Sequence, residues 1–265
     1  MHIKSTITLL FVIFTQIIHA QFDDKFYQPK KEFQAIDLKY ENLTIPVEND
    51  TITGIFLKPN TSKPKATILF FHGAGGNVST YIFMIKPLVE SGFQVAMVDF
   101  RGYGKSTGTP THLNVAKDGQ IFFEKMLERK DVKDSKIIVY GASLGSQISS
   151  HLAKHNKEKI TGLVIDGGMS SFADIAAVFA PQFKEALAKM LSSVYSAKED
   201  LQSTDGLKKL FIYSKNDTTV PYSQGEELYT ISPEPKRFLE FSLDHLLAIQ
   251  EKPDEVVKEV EALLK

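Results

Sequence analysis

Lys136–Tyr140, a run rich in apolar strand formers, ends on Gly141-Ala142-Ser143-Leu144-Gly145, and an amphipathic helical pattern, Leu144–Asn156, follows with no linker. A strand that turns so abruptly into a helix holds its turn residue under backbone strain and exposes that side chain above a sheet edge. Gly141 and Gly145 suit this turn, because strand and helix pass too close there for side chains. Ser146 is small as well. The new helix points its positive end at the turn, where developing negative charge is stabilised. Ser143 is therefore the candidate nucleophile. A serine that merely capped the helix would not need the two glycines. A second G-x-S-x-G string, Gly104–Gly108, lies between Arg101-Gly102-Tyr103 and Thr109-Pro110-Thr111. Turn residues flank it, so it reads as a loop. It is not a phosphate-binding loop, since Asp99 stands where that motif has its leading glycine.

The rest of the chain alternates around this turn. Strand patterns fall at Asp37–Ile45, Thr51–Leu57, Ala66–His72, Phe93–Asp99, Ile160–Asp166, Lys208–Ser214 and Arg237–Phe241. The first two are joined by the turn-prone residues Pro46–Asp50. Helical patterns fall at Val78–Glu90, His112–Arg129, Ser223–Thr230 and Pro253–Leu264. Continuous apolar strands separated by helices imply βαβ units and a mostly parallel sheet covered on both faces. Gly167–Gly206 breaks the alternation, with helical stretches at Ala173–Phe179 and Gln182–Leu191 separated by Pro181. It reads as a small lid insertion or as an ordinary long connection.

A serine hydroxyl needs a base to act as a nucleophile at neutral pH. When a strand–turn–helix carries the serine, the acid follows it in sequence and the histidine follows the acid. Of His72, His112, His151, His155 and His245, only His245 lies downstream of a suitable acid, in a loop just after a strand. Asp217 likewise follows a strand, and would accept the Nδ1 proton of His245 and fix its tautomer. Asp244 and Asp205 are weaker candidates by position. An oxyanion needs two backbone donors. Leu144, just after the serine, supplies one, and the glycine-rich loop His72–Asn77 supplies the other, with Ala74 preferred over Gly75. His72 then braces that loop. Asp99, Arg101 and Tyr103 form a polar loop after the next strand and either hold that loop, the preferred reading, or line the pocket. The loop glycines do not fit a dinucleotide fingerprint. His151 and His155 stand four apart on a helix without the glutamate of a zinc motif, so a solvated face is expected there. No metal or cofactor is expected.

Composition narrows the remaining classes. Lys+Arg is 31 against Asp+Glu 32, a net charge of -1, without the basic excess of a nucleic-acid binder. Cysteine is absent, which removes disulfides, thiolate metal sites, a cysteine nucleophile and a lipidated cysteine anchor. Residues 1–20 carry Lys4, an apolar core from Ile7 to Ile18 and a small residue, Ala20, suited to cleavage. This is the pattern of a secretory signal, leaving a mature chain 21–265 exported to a bacterial periplasm or the medium. An uncleaved membrane anchor is the alternative, although the core is shorter than a span requires.

Together these segments resemble the α/β-hydrolase superfamily, from about Thr51 to the end of the chain. His72-Gly73 with Gly76-Asn77, the Asp99–Ser106 loop, Gly141–Gly145, Asn216-Asp217 with Val220-Pro221, and Pro233–Arg237 are similar to the short-lidded, serine aminopeptidase-like branch. The resemblance implies an α/β-hydrolase fold with Ser143, Asp217 and His245 as a triad, and Ala74 and Leu144 as the oxyanion hole. It also implies hydrolysis of a small or lipid-like acyl ester, thioesters included, without a cofactor. Ala142 departs from the pattern, where relatives often carry a basic residue. So does Asp166-Gly167-Gly168, where they often carry Glu-Ser-Pro. The branch also holds peptidases, so an exopeptidase or amidase with the same triad stands as an alternative, as does a non-catalytic binding module.

Overall fold

The computed structural model of the chain describes residues 25–191 and 195–265. The expected amino-terminal signal lies outside them. Eight strands form one sheet: β1 (Tyr40–Val47), β2 (Asp50–Leu57), β3 (Thr67–Phe71), β4 (Gln94–Val98), β5 (Ile137–Ala142), β6 (Gly162–Asp166), β7 (Lys208–Ser214) and β8 (Lys236–Phe241). Their order across the sheet is β8-β7-β6-β5-β3-β4-β2-β1. The strands from β8 to β4 run parallel, and β2 is antiparallel to both β1 and β4. The expected α/β-hydrolase architecture is present, a mostly parallel sheet with helices on both faces.

Period-two alternation in the fully buried strands divides the core. Leu69, Phe71 and Val139 face one layer, closed by α2 (His112–Leu127) through Phe122 and by α3 (Gly145–Asn156) through Ile148 and Leu152. Ile68, Phe70 and Tyr140 face the other, closed by α1 (Ile82–Glu90) through Leu88, and by the carboxy-terminal helix Pro253–Ala262 through Val256 and Val260. Strands apolar on both faces are what a sheet covered on both sides demands.

Several boundaries differ from the sequence reading, each for a local reason. The first strand runs on through Pro46 to Val47, and the turn shrinks to Glu48-Asn49, with Glu48 at φ 53°. β1 is the edge strand, where a missing N–H leaves no ladder bond unmade. The helical stretch expected from Val78 begins as a 3-10 turn, Val78–Tyr81, capped by the Asn77 side chain. Gln28–Pro29, for which no strand is expected, pairs with Gly75–Gly76. A short helix at Ala248–Glu251 went unforeseen.

Between β6 and β7 the chain forms α4 (Phe172–Phe179), α5 (Lys184–Met190) and α6 (Ala197–Asp200). α4 buries Phe172 and Ile175, whereas α5 buries none of its residues. His151 is not simply solvated: its Nδ1 meets Asp200 Oδ2 at 2.8 Å and ties α3 to α6. Among the described residues, no group of three or more potential metal ligands gathers, and no helix is long and apolar enough to cross a membrane.

The loop after β4 fastens the neighbouring loops. Arg101 is buried and grips Asp118 of α2 with two hydrogen bonds, Nε to Oδ2 at 2.7 Å and Nη2 to Oδ1 at 2.9 Å. It also reaches Glu48 in the turn between β1 and β2, and Asp50 at the start of β2. Asp99 accepts the Val78 amide at 2.7 Å, and a Cβ on Gly104 would overlap its carboxylate. The Tyr103 hydroxyl donates to the Ala74 carbonyl at 2.5 Å and accepts the Gln28 amide at 2.9 Å. Burial pushes the Asp99 carboxyl well above the usual carboxylate range, up to about 7. Burial also pushes the His72 imidazole down to about 4.

Two outcomes are expected. Asp118→Ala removes two charge-assisted hydrogen bonds from a buried guanidinium that keeps Glu48 and Asp50, and should cost about 1–3 kcal/mol, read as a lower urea midpoint. Asp99 binds its proton more tightly in the folded state, so its contribution is fully present below about pH 4 and is lost as pH rises towards 7. Asp99→Asn should therefore gain on the wild type by up to about 4 kcal/mol between pH 4 and pH 8. Thermal melts at the two pH values measure the difference. A constant offset would mean that Asp99 ionises normally.

Candidate active site

β5 delivers Ser143 at φ 51°, in the left-handed region that non-glycine residues avoid. The contacts around the turn explain how this is tolerated. The Ser143 amide donates to the Asp166 carbonyl at 2.8 Å, and the Ser143 carbonyl accepts the Ser146 amide at 3.0 Å. A Cβ on Gly145 would overlap the Phe71 carbonyl, and one on Gly141 would overlap the Ser149 hydroxyl and lie 2.7 Å from the Gly145 carbonyl. Strand, turn and helix are thus packed backbone to backbone, and the serine has no relaxed alternative.

The loop after β3 lies across from the serine. A Cβ on Gly73 would sit 3.2 Å from the Ser143 Cβ and 2.6 Å from the Tyr81 hydroxyl. The His72 ring is fully buried and uncharged, and its Nδ1 donates to the Gly73 carbonyl at 2.7 Å. That bond holds the peptide plane whose other end is the Ala74 amide, because C=O and N–H point opposite ways in a trans peptide. Tyr103 and Gln28 hold the Ala74 carbonyl in the next plane. Neither the Ala74 amide nor the Leu144 amide donates to another of the described residues. Both residues line one cavity with Ser143.

Asp217 and His245 meet directly, with Asp217 Oδ2 2.6 Å from His245 Nδ1. The other carboxylate oxygen accepts the amides of Thr219 and Val220, each at 2.8 Å. With both oxygens occupied, the carboxylate has one orientation and the imidazole one tautomer, Nδ1–H. The competing acids lie elsewhere. Asp205 is exposed and paired with Lys157, and Asp244 is exposed. His245 approaches the serine's support from the far side. Gly167, which follows the residue that takes the Ser143 amide, adopts φ 54°, and a Cβ there would sit 2.9 Å from His245 Cε1. Serine and imidazole thus flank the carboxyl end of β6, where an open α/β sheet gathers its ligands.

A cavity of about 430 Å³ opens at Ser143. Phe26 and Met169 form part of its wall, and Ile175, Ala176, Phe179 and Leu187 line it from α4 and α5. Phe26 stacks edge-on against Phe172 at 4.8 Å, which fastens the amino-terminal segment to α4. Position along the chain singles out Ser143, Asp217, His245, Ala74 and Leu144, and the fold brings all five to one end of the sheet. Sequence reading misses Phe26, Gln28 and the inward face of α5, because no local pattern marks what a distant segment lines.

Comparison with known proteins places this geometry among relatives. The family described as Hydrolase_4, serine aminopeptidase S33, matches residues 62–207, more than half of the chain. The chain is 28% identical over 243 residues to the uncharacterized protein YfhR of Escherichia coli (strain K12), covering 89% of this chain and 82% of that one. It is 24% identical over 210 residues to protein bem46 of Schizosaccharomyces pombe, covering 78% and 69%. Among solved structures, an esterase of Pyrococcus furiosus superposes with a TM-score of 0.73 at 20% identity, over 90% of this chain and 97% of that one. Acetyl xylan esterase 1 from Thermoanaerobacterium superposes with a TM-score of 0.68 at 16% identity, over 95% and 94%. At those identities the superpositions speak for the fold, and the family match speaks for descent: the chain belongs to the Hydrolase_4 family (serine aminopeptidase, S33) of the α/β-hydrolase superfamily.

Proposed function

We propose that this protein is a serine hydrolase that cleaves carboxylic esters, with thioesters as a second substrate class. The observation that carries this reading is the 2.6 Å contact of Asp217 with His245, beside a serine held in a left-handed turn at the mouth of an apolar cavity. In the proposed reaction the Ser143 hydroxyl attacks the ester carbonyl carbon as His245 Nε2 takes its proton. The carbonyl oxygen becomes an oxyanion and is held by the Ala74 and Leu144 amides. Collapse breaks the bond to the leaving alcohol, which receives the proton from His245. Water then attacks the acyl-serine, giving its proton to the same nitrogen, and Ser143 is released with the carboxylic acid. Asp217 stays ionised throughout and steadies the imidazolium.

The cavity supports an acyl ester over a peptide. An aminopeptidase needs a carboxylate to hold the substrate's ammonium group. Among the described residues that line this cavity there is no Asp or Glu, and the charged group at its rim is Lys25. The apolar side chains from α4 and α5 suit a hydrocarbon chain instead.

Ser143→Ala should lower turnover of a p-nitrophenyl ester by roughly four to six orders of magnitude and abolish labelling by a fluorophosphonate. Unchanged turnover and labelling would remove Ser143 from the reaction. Ala176→Phe fills part of the cavity and should lower kcat/KM for an octanoate ester by about tenfold or more relative to the acetate ester. An unaltered chain-length profile would place the acyl chain elsewhere.

A further inference from the structure

Asp166, the last residue of β6, holds the nucleophile's turn and stands next to the residue that packs on the imidazole. Its carbonyl takes the Ser143 amide, and its neighbour Gly167 lies against the His245 ring. Its side chain is 2% exposed and accepts the Tyr140 hydroxyl at 2.6 Å. Strand register explains the placement. Ala142 pairs with Asp166, and Tyr140, Ala142 and Val164 face the layer that contains Phe241, Leu246 and Ala248. By period-two alternation the Asp166 carboxylate joins that face, beneath the loop that carries His245.

Resting on the hydrolase reading above, we propose that Asp166 is a positioning residue for His245: a second carboxylate, behind the one that touches Nδ1, whose negative charge steadies the imidazole while it carries the serine's proton. A carboxylate whose one side-chain partner among the described residues is a neutral phenol is an expensive group to bury, and an asparagine would accept the same hydroxyl without the charge. Burial pushes the Asp166 carboxyl up to about 6, the Tyr140 hydrogen bond and the His245 charge pull it down, and the Asp217 charge pushes it up. The groups around it are Tyr140 from β5, Tyr213 from β7, Asp217 from the loop after β7, and His245 from the loop after β8. His245 is the one among them that can become a cation. Ionisation of Asp166 therefore favours the imidazolium.

The test is the pH profile of kcat/KM for a p-nitrophenyl ester, whose acidic limb reports the groups that must be deprotonated in the free enzyme. Asp166→Asn removes the negative charge, so His245 gives up its proton more readily. The acidic limb should move to lower pH by about half a unit to one unit, and the plateau should fall by about three- to tenfold. Tyr140→Phe removes the donor that helps Asp166 ionise, so the limb should move in the same direction, to lower pH, by a smaller amount. A merely structural role would lower thermal stability in both variants and move neither limb. Titration of the His245 imidazole by nitrogen-15 NMR gives a readout independent of turnover, and its midpoint should fall in Asp166→Asn. Unmoved limbs and an unmoved midpoint would overturn the role of Asp166 while leaving the hydrolase reading intact. Turnover that survived Ser143→Ala would overturn both.

Discussion

Everything at this end of the molecule depends on three backbone segments packed within van der Waals contact: the end of β3, the turn at Ser143 and the first residues of α3. Gly145 lies against the Phe71 carbonyl, and Gly141 faces the Gly145 carbonyl and the Ser149 hydroxyl. Side chains at those positions would push the helix off the sheet. The left-handed conformation of Ser143 is affordable because burial of Ile148 and Leu152 under α3 rewards the close approach. Core packing thus holds the strain of the turn, and the turn in turn aims one hydroxyl into the cavity.

The same economy of backbone contacts governs the other groups. Asp217 is held by two amides and one imidazole nitrogen, so its geometry follows from the path of the Asp217–Val220 loop rather than from solvent. The Gly73–Ala74 peptide is set by a buried, neutral histidine, and the Ala74 carbonyl by Tyr103, which the loop after β4 brings in. Arg101 and Asp118 anchor that loop to α2. A buried ion pair is a poor source of net stability. Its worth here lies in fixing a loop whose far end touches the residue preferred as the second oxyanion donor.

Much of the fold was legible because its signals are local. Continuous apolar strands, a glycine-flanked serine between strand and helix, and an acid and a histidine that each follow a strand are all written within a few neighbouring residues. Asp217 outranks Asp205 and Asp244 on position alone, and the structure puts it against His245. What stayed hidden depends on pairings between distant segments. Asp166 and Tyr140 are 26 residues apart and meet through the register of β5 with β6. Pro46 sits inside a strand because that strand is at the edge, a fact of sheet order and not of propensity. Phe26 reaches the cavity because its segment pairs with Gly75–Gly76, which no periodicity announces.

Two histidines stand at this rim, and burial separates their characters. His72 has no contact with solvent, stacks among Phe100, Tyr103 and Tyr81, and is held neutral far below the usual imidazole range. Protonating it would bury a cation with no carboxylate at hydrogen-bond distance, since Asp99 lies 3.7 Å from Nε2 and is itself pushed towards its neutral form. His245 is partly exposed and backed by Asp217 at 2.6 Å, with Asp166 in the layer beneath. A base that must gain and release a proton in each cycle needs the second environment, and a brace that must never change its hydrogen bond needs the first. One ring can therefore orient a backbone amide while the other, in the proposed reaction, moves protons, although both rings sit at loops on the same edge of the sheet.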